Sequence, residues 1–332
     1  MRKTRLPLIT LFGFTSVIYA SATMAEFSFG QSDDALTGLG RTYGYLIGQE
    51  YKLKRIAKLY PSLQIPAKAA ELEFSAKYGS SIKTKLTEEM MSKVGSENFR
   101  KMATQMESSI QKQLDSTKIP QQEAINFIEE VNSRAQGQID KKILPYILAA
   151  EYKEQPAREF SARMRQRFDT QGHSKSQGLN LVLEVPVSWV AAEGERPHIV
   201  QKWKSMAGHG QQLITLDIRD TKVKISKQDI QDLVTSGEIK TLVPPGGTYI
   251  GGGVQTVESS PGYWVDYSIT TERAGMQLNV IGRINAFFNT DRAFMISCMT
   301  TNSQQKDAEQ DFAKITTLCP MVVNSVVLKD IY

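Results

Sequence analysis

Cysteine and histidine are scarce in this sequence. Two cysteines and three histidines in 332 residues exclude a disulfide-dense scaffold and a four-cysteine zinc site. They also leave little material for histidine-based metal or acid–base chemistry. His173, His198 and His209 stand far apart and fall in no HExxH or HxH ligand spacing. Each reads as a turn or surface residue: His173 in a polar segment, His198 after Pro197, His209 between Gly208 and Gly210. No GxSxG elbow frames a serine for nucleophilic hydrolysis. With 12 prolines and 23 glycines the chain is neither collagen-like nor of low complexity. Past residue 25 no apolar run approaches the roughly 20 residues that span a bilayer.

The chain is 41% hydrophobic and 23% charged, enough apolar material for a sizeable core, and its length suits two domains. It opens on Arg2, Lys3 and Arg5, continues through an apolar run from Leu6 to Tyr19, and reaches Ala20-Ser21-Ala22 and then Ala25. That order of basic, apolar and small residues predicts a secretory signal peptide over 1–25, cleaved after Ala22 or Ala25. The run is short for a spanning helix and is interrupted by Pro7 and Gly13, and no cysteine near the junction offers a lipid anchor. The expected location is therefore periplasmic or secreted. The net charge is +5, but segment 1–25 holds three basic and no acidic residues, so the processed chain carries +2. A balance that small gives no electrostatic reason to bind nucleic acid.

Two periodicities divide the rest. From Asp33 to about Phe168 apolar residues recur at three and four, as in Leu36, Leu39, Tyr43, Leu46 and Ile47, the stripe of amphipathic helices. Helices are predicted over 68–78, 82–94, 97–114, 143–153 and 156–168, with one more starting after Pro120 and carrying Ala124, Phe127, Ile128 and Val131. Pro66 and Pro120 mark helix starts. Asp33-Asp34 reads as a charge pair suited to a helix N-terminus. The polar segment 170–178 reads as a linker between a helical domain at 26–169 and a second domain at 179–332. There the period becomes two: Leu179, Leu181, Leu183 and Val185 alternate until Pro186. Further strands are predicted over 198–206, 212–219, 248–257, 262–271, 276–288 and 292–299. A helix is expected over Ser226–Leu242, with Ser226 as N-cap, and a last helix over 303–318 before the apolar run Met321–Leu328. Consecutive strands joined by short turns predict an antiparallel sheet packed with helices, an α+β domain.

The remaining motifs point away from chemistry. Gly251-Gly252-Gly253 lacks the following helix of a phosphate loop and reads as a strand with a bulge or a close backbone contact. Glu88-Glu89 and Glu129-Glu130 sit on solvated helix faces. Met90, Met91, Met102 and Met106 fall on core stripes. No catalytic, cofactor-binding or metal-binding residue is singled out, and no cofactor is implied. The helical half is the more basic, with 23 basic and 19 acidic residues over 26–178 against 14 and 16 over 179–332. Basic clusters that include Lys52, Arg55, Arg163 and Arg167 offer a binding face for an anionic envelope partner or lipid headgroups; the competing reading is a solvated face with acids nearby. Cys298 ends an apolar strand and Cys319 ends the following helix. Export and this strand–helix return predict a disulfide between them.

The C-terminal half resembles the PsbP/DcrB-like superfamily over about 179–328. Glu184-Val185-Pro186-Val187-Ser188-Trp189 has the strand, Pro, short gap, Trp pattern. The helix over Ser226–Leu242, the strand Phe294-Met295-Ile296-Ser297-Cys298 and the closing Asn324-Ser325-Val326-Val327 follow in order. The helical half, with Tyr45–Glu50 and Arg163–Gly172, is similar to secreted bacterial proteins of the same architecture. The resemblance implies an α/β/α sandwich with an antiparallel sheet between helices. It also implies a non-enzymatic binding or accessory/assembly protein of the bacterial envelope that recognises a protein or envelope component; peripheral membrane contact is the further partner class that the basic clusters offer. The alternatives are an immunity-like or chaperone protein that captures a toxin or secreted effector, and an envelope hydrolase without a recognisable signature.

Overall fold

The computed structural model describes residues 33–273 and 275–329; segment 1–25, expected to be a signal peptide, and the side chains of Asp33, Asp34 and Arg273 lie outside this description. Within it the chain divides between Lys153 and Glu154 into two compact units.

The first unit is helical: α1 (Asp33–Leu59), α2 (Gln64–Tyr78), α3 (Ile82–Val94), α4 (Ser96–Ser116), α5 (Gln121–Ala135) and α6 (Leu144–Tyr152). The predicted three-and-four spacing is what buries Leu39, Tyr43, Leu46 and Ile56 of α1 against Phe74 and Tyr78 of α2, Leu86 and Met90 of α3, and Val131 of α5. Pro66 falls in the first turn of α2 and Pro120 is the N-cap of α5, as their fixed φ suits. Gly79, at φ +97, ends α2 in a conformation that L side chains rarely adopt.

The second unit opens with α7 (Pro156–Ser161), and here the structure departs from the expected helix over 156–168. Arg163 takes φ +62 and stops the helix, and residues 165–169 form strand β1. β1 pairs antiparallel with β2 (Leu181–Pro186), and β10 (Val327–Leu328) pairs the other side of β2. Tertiary partners decide this strand: Arg165 bonds Glu184 at 2.6 Å, and Phe168 meets the Trp203 ring edge-on at 5.3 Å. The expected 170–178 linker is a turn built into this small sheet. The buried Thr170 hydroxyl donates to the Leu179 carbonyl at 2.6 Å and accepts from the Leu181 amide at 2.9 Å. The change of unit thus comes earlier than the change of period.

The main sheet has seven antiparallel strands in the order β3-β4-β5-β9-β8-β7-β6. They are β3 (Val190–Ala192), β4 (Ile199–Lys204), β5 (Gln212–Asp220), β6 (Thr248–Val257), β7 (Ser260–Arg273), β8 (Met276–Asn289) and β9 (Arg292–Asn302). Side chains alternate between two covered faces. On one, Ile214, Leu216, Phe287, Phe294, Ile296 and Cys298 pack under α9 (Gln305–Ile315) and α10 (Leu318–Val323). On the other, Tyr263, Val265, Tyr267, Ile284 and Phe288 pack against α8 (Lys227–Thr235) and the 3₁₀ turn Glu238–Leu242. This is the α+β class read from the sequence, with helices on both faces of an antiparallel sheet.

Ser226 caps α8 as expected, in a reciprocal capping box with Asp229. The single helix predicted over Ser226–Leu242 is broken, because Gly237 adopts a left-handed φ of +80 between α8 and the 3₁₀ turn. Cys298 and Cys319 form the predicted disulfide, with Cα atoms 6.1 Å apart. It ties α10 to the central strand β9 inside the core.

Candidate functional site

The two ends of the main sheet differ. β3 has three residues, and the 3₁₀ turn Met206–Gly208 packs beside it, with Gly208 against Val190. β6, at the other end, has ten residues and pairs only with β7 among the described strands. At about 3.4 Å per residue it offers an edge roughly 30 Å long. Exposed edges in natural proteins are blunted by charge, proline, shortness or bulges. The segment Thr248–Val257 contains no charged residue and no proline. It carries a bulge between Tyr249 and Gly251, which leaves Gly251–Val257 in regular register. Two large apolar side chains of β6 face water: Ile250 is 57% exposed and Val254 47%.

The glycines explain how this edge is held. A Cβ at Gly253 would lie 3.1 Å from Nε1 of Trp264, and one at Gly252 only 2.9 Å from the Trp264 carbonyl and 3.0 Å from Ile239 Cδ1. Bare backbone therefore lets the Trp264 indole lie against β6 on one face and the 3₁₀ turn press on the other. The Arg283 guanidinium stacks 4.4 Å above the Trp264 ring, and its Nε and Nη2 donate to the two Asp266 carboxylate oxygens at 2.7 and 2.8 Å. Gln255 Nε2 donates to the Tyr263 carbonyl at 2.8 Å. Such an edge, packed on both faces, can accept an extended segment by main-chain hydrogen bonding.

A second feature lies on the face of β5. Asp217 is buried, accepts a hydrogen bond from Thr215 Oγ1 at 3.2 Å, and has His198 Nε2 at 3.6 Å and Arg219 Nη2 at 3.8 Å. Desolvation pushes its carboxyl up to about 6, against the opposing pull of Arg219. Burial, then the positive charges of Arg219, Arg196 and Lys175, pull His198 down to about 4. His198 is thus a neutral imidazole at pH 7, and 3.6 Å from the carboxylate is too far for the hydrogen bond that would orient it as a general base. His198 lies in the turn before β4, as expected, but half-buried beside Asp217 rather than free on the surface. His209 also lies in a turn, and His173 lies among the turns of 170–178, where its Nδ1 accepts from the Lys175 amide at 3.2 Å.

A buried carboxyl the sequence did not single out, Glu159 of α7, accepts from the Ser188 amide at 2.8 Å and the Ser188 hydroxyl at 2.5 Å. Desolvation raises it to about 7, partly offset by those bonds. It anchors the turn after β2 and touches no open surface.

The four candidate basic residues are not brought together within one unit. Lys52 and Arg55 lie on α1 of the helical unit, while Arg163 and Arg167 are exposed in the sheet unit. Lys52 is 3.4 Å from Glu123 and 4.3 Å above the Phe127 ring. Arg55 donates to the carbonyls of Leu114, Asp115 and Thr117, closing the end of α4. Among the described residues no group of His, Cys, Asp and Glu is placed to hold a metal ion, and no helix is long and apolar enough to cross a membrane.

No protein-family model matches the chain, and no curated protein does. Solved structures are similar to about half of it. The solution structure of PsbP (CyanoP) from the cyanobacterium Synechocystis sp. PCC 6803 is 11% identical, covers 50% of this chain and 92% of its own, and superposes with a TM-score of 0.31. LpqN of Mycobacterium tuberculosis, described as involved in cell envelope biogenesis, is 13% identical over 52% of this chain and 96% of its own, at a TM-score of 0.30. A protein of Bacteroides thetaiotaomicron VPI-5482 is 8% identical over 45% of each chain, at 0.27. At these scores the fold assignment rests on the strand order and the two helix layers. The sheet unit is an α+β sandwich, and the solved chains similar to part of this protein include a PsbP.

Proposed function

We propose that the protein is a non-enzymatic accessory or assembly protein of the bacterial envelope, and that it holds a partner protein by taking an extended segment of that partner onto β6. The observation that carries this reading is the β6 edge: ten residues without charge or proline, two exposed β-branched side chains, and a backbone packed against Trp264, on which Arg283 stacks. Main-chain pairing would supply affinity, and contact with Ile250 and Val254 would select apolar residues in the incoming strand. The buried Cys298–Cys319 bridge supports an oxidising compartment, in line with the basic, apolar and small-residue order of segment 1–25.

The test is affinity capture from an envelope fraction with the wild-type protein and with Val254→Lys. A lysine on an edge strand opposes strand addition while leaving an exposed position free to accept it. The expected result is a discrete captured protein that is lost with Val254→Lys while the circular dichroism spectrum is unchanged. Retention of that protein by the variant would refute the β6 reading.

A further inference from the structure

The face of the main sheet that carries α8 is apolar only in part. α8 and the 3₁₀ turn Glu238–Leu242 pack over β6 and β7, while α9 and α10 cover the opposite face. Toward β5 the side chains become polar. Tyr263, Ala286, Met295 and Asp217 are successive cross-strand partners from β7 to β5, and two residues along Thr215 stands opposite Ser297. Residues paired in this way share a face, and Tyr263, Asp217, Thr215 and Ser297 are all buried on it.

Burial leaves this polar group short of partners. Tyr263 is 1% exposed, and its hydroxyl has no hydrogen-bond partner among the described residues. Buried polar atoms are nearly always paired, because an unpaired one gives up its hydration for nothing. The same hydroxyl lies near enough to Arg219 to feel its charge. Asp217 accepts from Thr215 Oγ1 at 3.2 Å, but the His198 imidazole and the Arg219 guanidinium stand off at 3.6 and 3.8 Å. Those separations are too long for hydrogen bonds, so the carboxylate keeps lone pairs to offer. The recess is reachable from water: the side chains of His198, Arg219 and Asp217 are 27%, 23% and 11% exposed.

Charge of both signs meets here. Arg196 bears on both Asp217 and His198, and Lys175 on His198, beside Arg219. A simple anion would face the Asp217 carboxylate, and a simple cation would face these three basic side chains, so each is repelled by part of the site. A molecule that carries both charges can satisfy both parts. We propose that this recess binds a small zwitterion of the α-amino acid class. Its ammonium lies on the Asp217 carboxylate, its carboxylate lies on Arg219, and the Tyr263 hydroxyl donates to that carboxylate. Strand capture at β6 engages main-chain groups of the sheet edge instead, so either reading can fail without the other.

Isothermal titration calorimetry of the purified protein tests it, with the L-amino acids one at a time and with acetate, methylamine and glycerol as carriers of one charge or none. At least one amino acid should bind, and the three simpler molecules should bind at least about tenfold more weakly. Asp217→Asn should weaken that binding by roughly tenfold or more, and Tyr263→Phe by about threefold to tenfold. Tyr263→Phe removes a hydroxyl that has no partner, so the free variant should unfold at a Tm no lower than the wild type, a readout that a structural hydroxyl would move. If Asp217→Asn fails to fold, Tyr263→Phe decides alone. No binding by any amino acid, equal binding by acetate or methylamine, or unchanged affinity in Tyr263→Phe overturns the proposal.

Discussion

Reducing the Cys298–Cys319 bridge should loosen the sheet unit by an amount that follows from its place in the chain. The two cysteines are 21 residues apart in sequence. Closing a loop of that length removes unfolded-state entropy worth about 3 kcal/mol at 25 °C in the chain-entropy treatment. For a unit of this size about 1 kcal/mol moves Tm by roughly 2–4 °C, so reduction should lower the transition by about 6–12 °C. Both cysteines are buried among Phe294, Ile296, Leu318 and Val322, so on reduction the two thiols must part within a packed core, and any strain of parting adds to the entropic loss. The helical unit contains no cysteine, so its transition serves as the internal control. The assay is thermal unfolding by circular dichroism with and without reductant, alongside a thiol titration in denaturant. Two titratable thiols in unreduced protein would refute the bridge. A Tm that holds within about 2 °C after verified reduction would refute the energetic reasoning instead.

Glu159 predicts a pH effect. Its carboxyl ordinarily titrates near 4.5 and is raised to about 7 when folded. The folded state therefore holds a proton that the unfolded state has lost between those values. Its contribution to stability is full below about pH 4.5 and falls by roughly 3 kcal/mol as pH rises through about 7. Denaturant unfolding across this window should show the decline in the wild type and a much flatter profile in Glu159→Gln; equal slopes would contradict it. Gly262→Ala should destabilise the sheet unit by about 2 kcal/mol or more, because its Cβ would meet the Ala286 carbonyl at 2.2 Å and Phe287 at 2.6 Å; an unchanged denaturation midpoint would contradict it. Protein recovered from an extracytoplasmic fraction should begin at Thr23 or Glu26 by N-terminal sequencing, and a stable product that keeps Met1 would overturn the export reading.

Much of the fold was legible because its signals are local. The three-and-four stripe of α1, the alternation of Leu181, Leu183 and Val185, the Ser226 cap, and the bulged glycine strand all depend on near neighbours in sequence. The disulfide was legible from the expected export and a strand–helix return. What escaped depends on distant partners. Arg165–Phe168 reads as helix until Glu184 and Trp203 are beside it. The break at Gly237 is visible only once the chain must turn under the sheet. The β6 edge left one trace, an uncharged, β-branched segment around three glycines, but its exposure follows from strand order, which alternation does not encode. The basic clusters show the reverse: lysine and arginine counts do not reveal that Arg55 is spent on the carbonyls of α4.

Amide hydrogen exchange on the sheet unit, free and with the captured partner bound, tests strand addition at β6 most directly. The edge reading predicts that outward amides within Gly251–Val257 exchange quickly in the free protein and slow markedly in the complex, while Val254→Lys shows no such slowing. Protection that falls elsewhere on the molecule and leaves β6 unchanged would contradict it.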